Sequence, residues 1–79
     1  MKYLYFSAAW CGPCKTLGPI MDEVSSKVSV QKIDVDLEYE TAQKYGVRNI
    51  PTVILVDGDT EVKRFIGVQP TQNYINALK

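Results

Sequence analysis

The sequence predicts an α/β domain: a four-stranded mixed sheet in strand order 2-1-3-4, with helices on both faces. Three observations point there. Short runs rich in β-branched and aromatic residues alternate with a helix-spaced apolar pattern, giving the element order β-α-β-α-β-β-α. The opening strand–helix–strand unit implies a parallel pair with a right-handed crossover. Asp57-Gly58-Asp59, between two strand-like runs, implies an antiparallel hairpin.

Each element has its own justification. Tyr3 to Ser7 is a β-former run, and Ala8-Ala9-Trp10-Cys11-Gly12-Pro13 turns out of it into a helix. Leu17, Ile20, Met21, Val24 and Val28 then share one helical face of about four turns. Pro19 lies inside that pattern, removes a backbone donor and should kink the helix. Val28 to Val35 alternates as a second strand. Asp36 is a candidate N-cap for a short helix over about 37–45, with Glu38 and Glu40 in its first turn and Gly46 stopping it. Pro51 to Val56 reads as a buried central strand, and Glu61 to Ile66 as its hairpin partner. Gly67 ends that strand, and Pro70 opens a last helix running to Lys79, with Tyr74, Ile75 and Leu78 on its apolar face.

Composition narrows the function. The chain has 79 residues, 46% of them hydrophobic and 23% charged, which fits one globular domain spanning 1–79. Nine basic residues balance nine acidic ones, so no nucleic-acid partner is expected. No apolar run is long enough for a signal peptide or a membrane span, so no membrane partner is expected and a cytoplasmic location is. There is no histidine, which removes the usual general base and the commonest metal ligand. The two cysteines stand three residues apart, and in a reducing compartment such a pair points to chemistry more than to a staple.

Trp10-Cys11-Gly12-Pro13-Cys14-Lys15 carries that chemistry. Between a strand and a helix, Cys11 sits at the helix N-terminus, where orphan N–H groups and the helix dipole favour a thiolate. Its pKa should fall below the free value of about 8.5. Cys14 follows one turn on, within bonding reach. Cys11 is expected to be the exposed thiol and Cys14 the buried one. Pro13 costs no hydrogen bond in the first turn, Gly12 lets a partner's backbone approach, and Trp10 offers a flat surface. A purely structural disulfide would close too short a loop to remove much unfolded-state entropy. Zinc would need ligands from carboxylates or a second chain, so no metal is expected.

The turn from Trp10 to Lys15 is identical to the active-site motif of thioredoxins, and the chain resembles that family along nearly its whole length. Phe6, Pro19, Met21-Asp22-Glu23-Val24 and Lys32-Ile33-Asp34-Val35-Asp36 match its pattern, and Lys44 to Thr52 is close to its second signature. The resemblance implies a thioredoxin fold trimmed to four strands, the size of a glutaredoxin core. It implies a cis Ile50–Pro51 bond, with the backbone before the proline pairing with an extended substrate. Gly67 matches the glycine that admits substrate from the far side. It also implies reduction of protein disulfides through a reversible Cys11–Cys14 pair, with no bound cofactor. Disulfide-containing proteins are the implied substrates, an NADPH-dependent thioredoxin reductase the implied electron donor, and a monomer the expected state.

One position departs from the family. Tyr5 stands where thioredoxins usually carry a buried aspartate, although the neighbouring lysine is kept as Lys32. A phenol with an ordinary pKa near 10 is a poor base. Tyr5 is read as a packing residue, and the proton route from Cys14 is left open. Two other functions compete: a glutathione-linked glutaredoxin-like enzyme, suggested by the short core, and a thioredoxin-fold binding subunit of a larger assembly.

Overall fold

The computed structural model describes residues 1–79. Seven elements follow in order: β1 (Lys2–Ser7), α1 (Gly12–Val24), β2 (Ser29–Asp34), α2 (Tyr39–Lys44), β3 (Thr52–Asp57), β4 (Thr60–Ile66) and α3 (Thr71–Asn76). The four strands form one sheet in the order β2-β1-β3-β4. β1 runs parallel to β2, with Tyr5 opposite Lys32 and Ser7 opposite Asp34. β1–β3 and β3–β4 are antiparallel. This is the predicted order and mixture.

Burial follows from strand position. β1 and β3 are central and covered on both faces, so nearly every residue in them is buried, whereas the edge strands β2 and β4 are largely exposed. Strand alternation then divides the apolar side chains into two cores. Tyr3, Tyr5, Val53 and Leu55 join Leu17, Met21 and Val24 of α1 and Tyr74 of α3 on one face. Leu4, Phe6, Ile54 and Val56 meet Ile33 and Ala42 of α2 on the other. Between β3 and β4 the register shifts: Leu55 faces Lys63 and Val56 faces Glu61, which leaves Val62 unopposed.

The strand ends shift by one residue from the sequence reading, and the boundaries of all three helices differ from it. α1 ends at Val24, and the chain turns through Ser25–Lys27, so Val28 packs against the core from outside the helix. α2 starts at Tyr39 with Glu38 at its N-cap, two residues later than expected. Asp36 therefore does not cap it: the Leu37 and Glu38 N–H groups both bond back to the Asp34 carbonyl, so a turn separates Asp36 from the helix start. Pro70 is the N-cap of α3 and not its first helical residue, and the helix stops at Asn76. Of the two tyrosines of the α2 region, Tyr45 packs on Phe6 as expected, while Tyr39 is exposed.

Two buried phenols have opposite hydrogen-bond status. The Tyr3 hydroxyl donates to the Tyr74 carbonyl at 2.7 Å. That carbonyl lies in the last turn of α3 and accepts no backbone N–H beyond the helix, so Tyr3 caps it across the sheet. The Tyr74 hydroxyl, fully buried, makes no well-formed hydrogen bond; the Gln69 backbone is a polar neighbour that only partly offsets the rise in pKa that burial causes. Tyr3→Phe should therefore cost about 1–3 kcal/mol by orphaning a carbonyl, while Tyr74→Phe should be neutral or stabilising. Urea unfolding of the two variants checks this, and equal losses would contradict it.

Candidate active site

The loop from β1 to α1 is short and tightly bonded. The Cys11 N–H donates to the Ala8 carbonyl at 3.1 Å, which turns the chain sharply after the strand. Cys11 is the N-cap of α1 in an extended conformation, and its Sγ accepts the Cys14 N–H at 3.2 Å. The sulfur thus takes the place that a serine or aspartate oxygen takes at an ordinary N-cap. Gly12 and Pro13 fill the first turn, where a missing N–H costs nothing. A Cβ at Gly12 would meet nothing within 4 Å, so this side of the turn is open to an approaching chain.

Cys11 and Cys14 are joined as a disulfide, with their Cα atoms 5.3 Å apart. The pairing brings the two predicted residues together, but the expected contrast in exposure is absent. Cys11 is 3% exposed and Cys14 is 6% exposed. The reason is local packing: the pair forms a small cluster with Ala8, closed over by Val35 and Ile50. What distinguishes the two sulfurs is the helix N-terminus, which lies at Cys11.

A second loop lies against the cysteine pair. The Ile50–Pro51 peptide is cis. Pro51 is fully buried, while Ile50 is half-buried against the cysteine cluster. Neither the N–H nor the carbonyl of Ile50 is hydrogen-bonded within the chain. The Gly67 N–H donates to the Pro51 carbonyl at 2.9 Å, and Gly67 has φ +83°, a conformation that favours glycine. Gly67, 16 residues further along the chain, is thereby held against the Ile50–Pro51 loop, and Ile50 packs on the cysteine cluster. Arg64 links β4 to the end of α2: the guanidinium donates to the Tyr45 carbonyl and pairs with Glu61 at 2.8 Å. That pairing holds the Glu61 carboxyl below its usual range.

Three contacts were not foreseen from the sequence. Trp10 is 70% exposed, yet its indole Nε1–H donates to the Asp36 carboxylate at 2.9 Å, which ties the ring to the loop after β2. Tyr5 packs in the core as expected, and in addition its hydroxyl donates to the Cys14 carbonyl at 2.8 Å. Burial pushes its phenol pKa up, partly countered by the Ser7 hydroxyl and aided by the Asp22 charge. Finally, a cleft of about 340 Å³ opens beside Cys14 and is lined by Tyr5, Ser7, Lys32 and Asp34. The alternation Lys32-Ile33-Asp34 was the available signal, since it puts both charged residues on the sheet face away from Ile33. No group of three or more Cys, Asp or Glu side chains is placed to hold a metal ion.

The family model for thioredoxin matches residues 2–79. The chain belongs to the thioredoxin family. A thioredoxin from Alicyclobacillus acidocaldarius is 44% identical over 71 residues, covering 85% of this chain and 68% of the relative. One from Staphylococcus epidermidis is 38% identical, covering 99% of this chain and 79% of the relative. Among solved structures, thioredoxin 1 from Thermosipho africanus superimposes with a TM-score of 0.87 at 29% identity, covering 99% of this chain and 90% of that one. A mutant thioredoxin from Halobacterium salinarum gives 0.89 at 34%, covering 95% and 68%. Thioredoxin membership together with the cysteine pair makes the chain a thiol–disulfide oxidoreductase. Disulfide-containing proteins and a thioredoxin reductase are the kinds of partner that membership implies. No helix is long and apolar enough to cross a membrane.

Proposed function

We propose that this thioredoxin is a protein disulfide reductase in which Cys11 attacks and Cys14 resolves. The Cys11 thiolate attacks one sulfur of a substrate disulfide, forming a mixed disulfide and releasing the other substrate sulfur as a thiolate. Cys14 then attacks Cys11 Sγ, the Cys11–Cys14 bond forms, the bond to substrate breaks, and the second substrate thiolate leaves. The observation that carries the assignment is the hydrogen bond from the Cys14 N–H to Cys11 Sγ at the start of α1. A fixed donor and the helix dipole both favour negative charge at Cys11.

Substrate binding falls to Ile50, Pro51 and Gly67. The unpaired N–H and carbonyl of Ile50 can take up main-chain bonds to an extended segment, which gives affinity without demanding a sequence. Trp10, bonded to Asp36 and largely exposed next to Cys11 in the chain, offers a flat apolar face to the substrate. Residues 1–79 act as one thioredoxin-like domain and as a monomer in the cytoplasm, re-reduced by an NADPH-dependent thioredoxin reductase. The test is turnover of insulin disulfides with two reductants in parallel. NADPH with a thioredoxin reductase should sustain reduction, and glutathione with its reductase should not. Turnover on glutathione alone would favour the glutaredoxin-like alternative. Activity with neither reductant would point to a binding subunit.

A further inference from the structure

We propose that Asp34 is the proton acceptor for Cys14 in the resolving step, acting through water in the cleft that joins them. The inference rests on the assignment of Cys14 as the resolving cysteine. Cys14 must lose its thiol proton before it can attack, and the β1 side chain that reaches it is the phenol of Tyr5, which donates to the Cys14 carbonyl and offers no base.

The cleft supplies the geometry. Its volume of about 340 Å³ is far more than one water needs, and its polar lining consists of Tyr5, Ser7, Cys14, Lys15, Lys32 and Asp34. The parallel register sets Tyr5 beside Lys32 and Ser7 beside Asp34, and alternation turns all four toward α1, where Cys14 lies. The chemistry then selects among these groups. Tyr5 is already donating to the Cys14 carbonyl, and burial strengthens its hold on the proton. Lys15 and Lys32 are cations without a free lone pair. A serine hydroxyl is a negligible base. Asp34 is the one carboxylate lining the cleft.

Asp34 is also held in place. Its Oδ1 accepts the Asp36 N–H at 2.9 Å, and its other carboxylate oxygen makes no hydrogen bond within the protein. The charged and titratable groups around it are Lys32 on β2, Tyr5 on β1, Lys15 on α1, and Asp36, whose own carboxylate is turned to Trp10. The proton leaves Cys14 Sγ, crosses bridging water to the free Asp34 oxygen, and passes to solvent or to the departing substrate thiolate. The Cys14 electron pair forms the bond to Cys11 Sγ, and the Cys11–substrate bond breaks. A carboxylate is a weaker base than a thiolate, so it holds the proton only in passing. The two lysines stabilise the negative charge that develops on Cys14.

Stopped-flow reaction of the reduced protein with dithiobis(nitrobenzoate) separates the steps. Attack by Cys11 releases the first coloured thiolate, and resolution by Cys14 releases the second. Asp34→Asn preserves the shape and the bond to the Asp36 N–H. At neutral pH it should slow the second phase by about tenfold or more and leave the first unchanged. The deficit should disappear at alkaline pH, where hydroxide removes the thiol proton, and Asp34→Glu should recover part of the rate. An unchanged second phase, equal slowing of both phases, or a deficit independent of pH would overturn the role of Asp34. Absence of the first phase in the parent would overturn the Cys11 assignment and this inference with it.

Discussion

Cys14→Ser, mixed in reduced form with a protein disulfide, should accumulate as a covalent mixed disulfide through Cys11. Its turnover should fall about a thousandfold or more, equivalent to about 4 kcal/mol of lost transition-state stabilisation. Cys11→Ser should be equally inactive and should trap nothing. The asymmetry does not come from solvent exposure, since both side chains are almost fully covered in the oxidised pair. It comes from the N-cap. Cys11 Sγ lies where the α1 dipole is positive and where the Cys14 N–H can bond to it. Cys14 lies inside the first turn, over the cleft and against Tyr5. Intact-mass analysis after mixing, with insulin turnover alongside, checks both variants. Trapping by Cys11→Ser in place of Cys14→Ser would reverse the assignment.

Tyr3→Ala should give the largest loss of stability among single core substitutions, about 3–5 kcal/mol. A chain of this length has a total stability of about 4–12 kcal/mol, so the variant should be largely unfolded on mild heating. Tyr3 meets Tyr74 edge-on at 5.8 Å and Phe65 at 6.3 Å, and it caps the Tyr74 carbonyl. Truncation therefore opens a cavity between β1, β4 and α3 and also strands a polar group. Thermal and urea unfolding followed by far-UV circular dichroism measure the loss, and a loss below about 1 kcal/mol would contradict the packing argument. The same burial gives the parent a pH signature. Desolvation, with the Tyr74 phenol nearby, pushes the Tyr3 pKa up to about 12. The folded chain then holds this proton more tightly than the unfolded chain does. The associated stability is intact below about pH 10 and is lost as pH rises toward 12.

The fold and the redox pair were legible in the sequence because both are encoded locally. The β-former run Tyr3 to Ser7, the helix-spaced Leu17, Met21 and Val24, and the Asp57-Gly58 turn each report the environment of their own segment. The parallel crossover and the hairpin then leave few arrangements of four strands. The cysteine pair is also a local device, one turn of helix bringing two sulfurs together. Helix ends were less legible. The run through Val28 kept the apolar period after the helix had stopped, because Val28 reaches the same core from a turn. Asp36 had the chemistry of a cap, but a turn separates it from the helix start, and its carboxylate bonds to Trp10, a residue 26 positions away.

The remaining features of the site belong to the tertiary structure alone. The exposure expected for Cys11 was removed by Val35 and Ile50, which come from two other parts of the chain. The meeting of the Ile50–Pro51 loop with Gly67 depends on a hydrogen bond between residues 16 positions apart. Tyr5 was read from the sequence as a packing residue because a phenol is a poor base, but only the packing of α1 across β1 put its hydroxyl on the Cys14 carbonyl. Asp34 reads in the sequence as the last polar residue of an edge strand, and the register of β2 on β1 is what sets it in a cleft with Cys14. Local periodicity fixes which face a side chain takes, because that depends only on neighbouring backbone. Which groups then meet across that face is decided by register and by helix packing, which are properties of the whole chain.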